Sequence, residues 1–191
     1  MKSLLRLQAR ILRILSLPPF VVASFLFIVF FTGYPVRLPL NQILFTLFFL
    51  AFFPVLAYPV SLLKSAWRPR EVQRKIAFLF SGIGYLAGTV LGILIRLDPL
   101  LVRLLTIYLI SFLILLSLHQ LGSVRPSGHA CSITGPLIFC ILFYGVSWEI
   151  PALLIYLAVL WSSVYLKRHT IREFLLGSIT SALPALLLMQ V

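Results

Sequence analysis

Charge is what this 191-residue chain lacks most. Charged residues make up 10% of it and apolar ones 61%, where a soluble domain is about a quarter charged. That balance excludes an ordinary water-soluble domain and points to an integral membrane protein. The length fits a single domain over 1–191. Cysteine is almost missing as well. Cys131 and Cys140 stand nine positions apart on one expected helix, and at about 100° per residue they point to opposite sides. They cannot bridge each other. There is no His-Glu-x-x-His zinc helix, no glycine-rich nucleotide loop with its lysine, and no repeat, low-complexity tract or linker. Nor do charges group ahead of a clean apolar core. Lys2, Arg6, Arg10 and Arg13 are spread through the first sixteen residues, so no cleavable signal peptide is expected.

What charge remains is mostly of one sign, giving a net +12. Without a basic soluble domain to hold nucleic acid, no such partner is expected. Two readings account for the excess. One is the enrichment of Lys and Arg in cytoplasmic loops; the other is attraction to anionic lipid headgroups.

Residues 1–16 read as an amphipathic helix. Lys2, Arg6, Arg10 and Arg13 share a face, while Leu4, Leu5, Leu7, Ile11, Leu12 and Leu15 cover most of the rest. Such a helix lies in the headgroup plane with its cations toward water. Pro18-Pro19 predicts a break after it. Apolar runs follow at 19–34, 43–63, 77–96, 100–118, 131–147, 150–166 and 173–190, most of them near the twenty residues that cross a bilayer. Trp148-Glu149 and Asp98-Pro99 mark tight helical hairpins. The expected fold is all-α: a polytopic bundle of six to seven transmembrane helices plus the N-terminal amphipathic helix. Threaded through a bilayer, thirteen of the sixteen Lys and Arg fall on the side of the N-terminus and of the 64–76, 119–130 and 167–172 loops. That side is expected to be cytoplasmic, at the cell (inner) membrane. Gly82, Gly84, Gly88 and Gly92 form a ridge suited to close helix packing.

Two polar segments interrupt the apolar chain, and ionisable groups at membrane depth or its edge are functional candidates by default. The first is Arg125-Pro126-Ser127-Gly128-His129. It opens a helix whose N–H groups and positive end suit an anion. Arg125 adds a fork of donors, Ser127 a hydroxyl, and Gly128 room for close backbone approach. His129 is placed to donate a proton to a leaving oxygen. The second runs from Ser163 to Glu173. His169 and Glu173 are four apart at a helix mouth and can meet; a carboxylate on one imidazole nitrogen makes the other a better nucleophile. Each segment alone reads more readily as an ordinary membrane-edge pair or helix start. Together they say more. Forty residues separate His129 from His169, enough for one helical hairpin down and back. Two histidines beside a cationic turn fit phosphoryl transfer through a phosphohistidine. A metal site of His129, His169, Cys131 and Glu173 is the alternative, which no closely spaced ligand pair supports; no metal or other cofactor is expected.

Pro126-Ser127-Gly128-His129 resembles the second signature of the type 2 phosphatidic acid phosphatase superfamily, which groups lipid phosphate phosphatases with vanadium haloperoxidase-like enzymes. Ser162 through Gly177 resembles the third, with Val164, Tyr165, Leu166, His169 and Gly177 in register. The resemblance implies His169 as nucleophile, Glu173 where the family has Asp, His129 as general acid, and Ser127 and Gly128 holding phosphate oxygens. Two departures stand out. The family's third-signature arginine is Ser163 here. The first signature keeps Arg68-Pro69, but Ser61 takes the place of its lysine, with Lys64 nearest. Lys64, Arg68, Arg70, Arg74, Arg125, Lys167 and Arg168 are the candidate replacement cations. The expected function is a metal-independent membrane lipid-phosphate phosphatase acting on a polyprenyl phosphate or diphosphate, or on a phosphatidate. Its rivals are a lipid phosphotransferase and an inactive lipid-phosphate binder. Expected partners are the lipid phosphate and membrane lipids, with a homo-oligomer left open.

Overall fold

A computed structural model describes residues 2–33, 37–121 and 125–189; residue 34 at the end of the expected first run, residue 190 at the end of the last, and 122–124 of the 119–130 loop lie outside them. Among the described residues every regular element is helical. They are α1 (Lys2–Leu15), α2 (Pro18–Thr32), α3 (Leu40–Leu47), a π-helical turn Phe48–Phe52, α4 (Phe53–Val55), α5 (Ala57–Leu62), a 3-10 turn Ser65–Trp67, α6 (Arg70–Leu94), α7 (Pro99–Leu121), α8 (Gly128–Tyr144), a 3-10 turn Gly145–Trp148, α9 (Glu149–Tyr165) and α10 (Ile171–Leu188). Five helical stretches among the described residues are long and apolar enough to cross a bilayer: Leu40–Leu62, Arg70–Leu94, Pro99–Gln120, Gly128–Tyr165 and Ile171–Leu188. The first expected run is shorter than its sequence range. Its helix stops at Thr32 after 15 residues and meets α1 at 66°, the break that Pro18-Pro19 dictates. Helix α6 begins at Arg70 rather than at 77, because the strong helix formers of Arg70-Glu71-Val72-Gln73-Arg74-Lys75 extend it past the apolar run.

The chain forms two compact groups, Met1–Val21 with Ile110–Val191, and Val22–Leu109. In the second, three glycines of the expected ridge, Gly84, Gly88 and Gly92, pack closely. A Cβ at Gly84 would meet the Phe49 carbonyl at 2.9 Å, one at Gly88 the Phe49 Cβ at 2.7 Å, and one at Gly92 the Leu97 side chain at 3.0 Å. The turn after α6 has Arg96 at φ +56°, with Leu97 N–H donating to Gly92 C=O at 2.9 Å. Asp98 Oδ1 then accepts from Leu100 N–H at 2.9 Å and starts α7.

The first group holds both histidine segments. Gly145 at φ +71° ends α8, and α9 starts four residues later. A straight helix of 38 residues over Gly128–Tyr165 would run about 57 Å. Instead Ala130 and Ile133 of α8 share one core with Val159 of α9 and Phe174 of α10, so α8 and α9 form the hairpin expected at Trp148-Glu149. Ser127 N–H donates to Glu173 C=O at 2.9 Å. The N-termini of α8 and α10 therefore lie at one end, with α9 running the other way. Tyr156 of α9 stacks edge-on to Phe174 at 5.3 Å, and its hydroxyl pairs with Ser178 Oγ at 2.8 Å.

Helix α1 forms over Lys2–Leu15, close to the expected 1–16. It packs against α9 with Ala9 and Ser16 buried, while Leu4, Leu7, Ile11, Ile14 and Leu15 face outward. The side opposite its apolar face is turned to protein, not to water, and its arginines lie along the flank.

Candidate functional site

The site grows from two helix starts and one helix end. Ser127 caps α8: its backbone is extended and its Oγ accepts from Ala130 N–H at 3.4 Å. Its side chain is fully buried and turned into its own helix, so the hydroxyl that the resemblance assigns to phosphate serves as a cap here. Gly128 follows, exposed, and a Cβ built on it meets nothing within 4 Å. The glycine is demanded neither by backbone conformation nor by packing, and open space lies over the first turn of α8. His129 is half-buried, with Nε2 shielded from solvent.

Helix α9 ends in a Schellman turn. Lys167 takes the left-handed position at φ +52°, its N–H donating to Val164 C=O at 2.9 Å, while Arg168 N–H donates to Ser163 C=O at 3.0 Å. His169 follows directly and is aimed by this turn. Then Thr170 opens α10 through a full capping box: Thr170 Oγ1 accepts from Glu173 N–H at 3.2 Å, and Thr170 N–H donates to Glu173 Oε2 at 2.8 Å. The same Oε2 stands 3.6 Å from His169 Nδ1. That exceeds hydrogen-bond length, so it is an electrostatic contact rather than the bonded pair expected from the spacing. Glu173 thus has two tasks, closing the cap and facing the imidazole. With side chains 16% and 25% exposed, His169 and Glu173 are shielded enough for a charge on one to be felt by the other.

The two segments are joined through backbone. Besides the Ser127–Glu173 bond, Gly177 one turn further along α10 lies directly against Ser127. A Cβ on Gly177 would collide with the Ser127 carbonyl oxygen and stand 2.8 Å from its nitrogen. Hence the Ser127-Gly128-His129 turn and the His169–Glu173 pair are brought to one place, as the forty-residue spacing predicts.

The cations divide. Arg125, Lys167 and Arg168, with Arg172, are exposed at this end of the group. Lys64, Arg68, Arg70 and Arg74 belong to the other compact group. There Lys64 Nζ sits over the Trp67 ring at 4.6 Å, and Arg70 opens α6 behind Pro69. Ser61, in the lysine position, is buried and donates to Tyr58 C=O at 2.6 Å. Ser163, in the arginine position, is 1% exposed, and its Oγ makes no hydrogen bond among the described residues. Its carbonyl, which holds the turn before His169, is the part the fold uses. Sequence reasoning missed Thr170, although Thr-x-x-Glu is a recognisable cap pattern. It also missed the positioning part of Gly177, which no local pattern announces.

No family model, no curated protein and no solved structure matches this chain.

Proposed function

We propose that the chain is a polytopic membrane protein that hydrolyses a lipid phosphate through a phosphohistidine, with its site at the cytoplasmic edge of the bilayer. What carries the reading is the Ser127 N–H to Glu173 C=O bond of 2.9 Å, which ties the anion-suited start of α8 to the histidine–carboxylate pair. Apolar helices and outward-facing leucines and phenylalanines support the membrane setting.

In this reading the lipid phosphate enters over Gly128, where the helix start offers N–H groups and open space. Arg125, Lys167 and Arg168 draw the anion in and offset its charge. His169 Nδ1 faces Glu173, so Nε2 attacks phosphorus. The P–O bond to the lipid breaks, and His129 gives its proton to the departing oxygen. A water then attacks the phosphohistidine, yields its proton to His129, and frees phosphate and His169. No metal takes part in these steps. If the lipid alcohol of an acceptor replaced that water, the same residues would carry out phosphotransfer.

The missing arginine favours a second reading, a lipid-phosphate binder without turnover. Ser163 is too short and uncharged to clamp phosphate, and arginine forks are among the stronger phosphate contacts. The deciding experiment is phosphate release by the purified chain and by His169→Ala across polyprenyl phosphates, diphosphates and phosphatidate. Release by the wild type and loss of about 1,000-fold or more in the variant is the outcome expected of the enzyme. Binding without release by either protein supports the binder.

A further inference from the structure

Helix α1 takes no part in the proposed reaction, yet its exposure pattern is organised. At about 100° per residue its circumference divides into three. Leu5, Ala9, Leu12 and Ser16 form the inward face: Ala9 and Ser16 are buried, and Leu5 and Leu12 half-buried. On the opposite face Leu4, Leu7, Ile11, Ile14 and Leu15 are 46–58% exposed. Between these faces, on one flank only, Arg6, Arg10 and Arg13 form a stripe at spacings of four and three. Arg6 and Arg10 are exposed, whereas Arg13 is half-buried with Nη1 shielded from solvent. The cations thus run along the seam where the protein-packed side of the helix gives way to its apolar side.

We infer that this seam binds an anionic phospholipid, with acyl chains along Leu7, Ile11 and Ile14 and the headgroup phosphate on Arg6 and Arg10. Guanidinium forks match phosphate oxygens two at a time. An apolar face bordered by arginines is the pattern of helices that bind anionic lipid surfaces. A neutral lipid would cover the leucines and leave the stripe unmatched. A second copy of this chain would set one +12 molecule against another, and like charges oppose that contact. The inference stands apart from the phosphatase reading, since no residue of α1 enters the chemistry.

The full chain in neutral detergent is offered phosphatidylglycerol or phosphatidylcholine, and retained lipid is measured by native mass spectrometry. Wild type is expected to prefer phosphatidylglycerol. The double variant Arg6→Gln, Arg10→Gln should bind it about 30-fold more weakly, at about fivefold per charge. Arg6→Lys, Arg10→Lys keeps the charges and should keep most of the preference, and Arg37→Gln, an exposed arginine elsewhere, should change nothing. Equal retention of both lipids by wild type overturns the inference, as does full preference in a double Gln variant with unaltered circular dichroism. Displacement of the lipid by millimolar inorganic phosphate would mean a free-phosphate site and overturns it too. So does a dimer that forms in place of lipid retention and is lost in the double Gln variant.

Discussion

Substituting Gly177 by Ala tests the joint between the two histidine segments. The added Cβ collides with the Ser127 carbonyl oxygen and reaches 2.8 Å from its nitrogen and 3.0 Å from its carbonyl carbon. All three are backbone atoms at a buried helix start, so no side chain can swing aside. Overpacking of this kind costs about 1–3 kcal/mol, and rigid backbone places it at the upper end. Pushing α8 from α10 also strains the Ser127 N–H to Glu173 C=O bond, worth about 1 kcal/mol. The expected loss is about 3–4 kcal/mol, or a melting point lower by about 10 °C for a chain this size. Thermal unfolding in detergent reads it, and phosphate release should fall with it, because the pair and the turn move apart. Gly128→Ala is the matched control. Its Cβ meets nothing within 4 Å, so stability should hold or rise by about 0.5 kcal/mol, while phosphate release falls if the substrate occupies that space. A Gly177→Ala protein as stable as wild type would refute the close crossing and with it the argument that the joint builds the site.

Other consequences follow from the same geometry. Thr170→Ala removes the acceptor for Glu173 N–H and should cost about 1 kcal/mol, with Thr170→Ser close to wild type in the same unfolding assay. Glu173→Gln can keep the reach-back to Thr170 N–H while losing the charge that faces His169. Its stability should change by under about 1 kcal/mol, while phosphate release drops about 100-fold. Lys167 is a non-glycine residue at φ +52°, so Lys167→Gly should stabilise by about 1 kcal/mol. If the ammonium also draws in the anion, the stabilised variant will release phosphate more slowly.

The helical runs and the hairpin at Trp148-Glu149 were legible because apolar length and turn residues are local signals. The backbone joint of Ser127 to Glu173 was legible for the same reason, as one hairpin length separates the two helix starts. Other features were hidden by physics that spacing does not encode. Lys167 ends α9 in a left-handed turn with no glycine to announce it. Glu173 reads as a partner for His169, yet the carboxylate oxygen that faces the ring is also bound by Thr170 N–H at 2.8 Å, and the cap decides its position. Nor does the amphipathic pattern of helix α1 announce that Ala9 and Ser16 are buried. The small side of the helix, not its leucine face, meets α9. The fate of Ser127 was equally illegible, since a serine before a glycine serves a ligand or a helix cap with equal ease.

The central claim is a phosphoryl group carried on His169. The most direct measurement is rapid quenching of the purified chain with a ³²P-labelled lipid phosphate, followed by mapping of acid-labile label. The account predicts label on His169, none in His169→Ala, and much slower labelling in His129→Ala, which lacks the acid for the first step. Phosphate release from labelled lipid by a folded His169→Ala protein, or label on another residue, would contradict it.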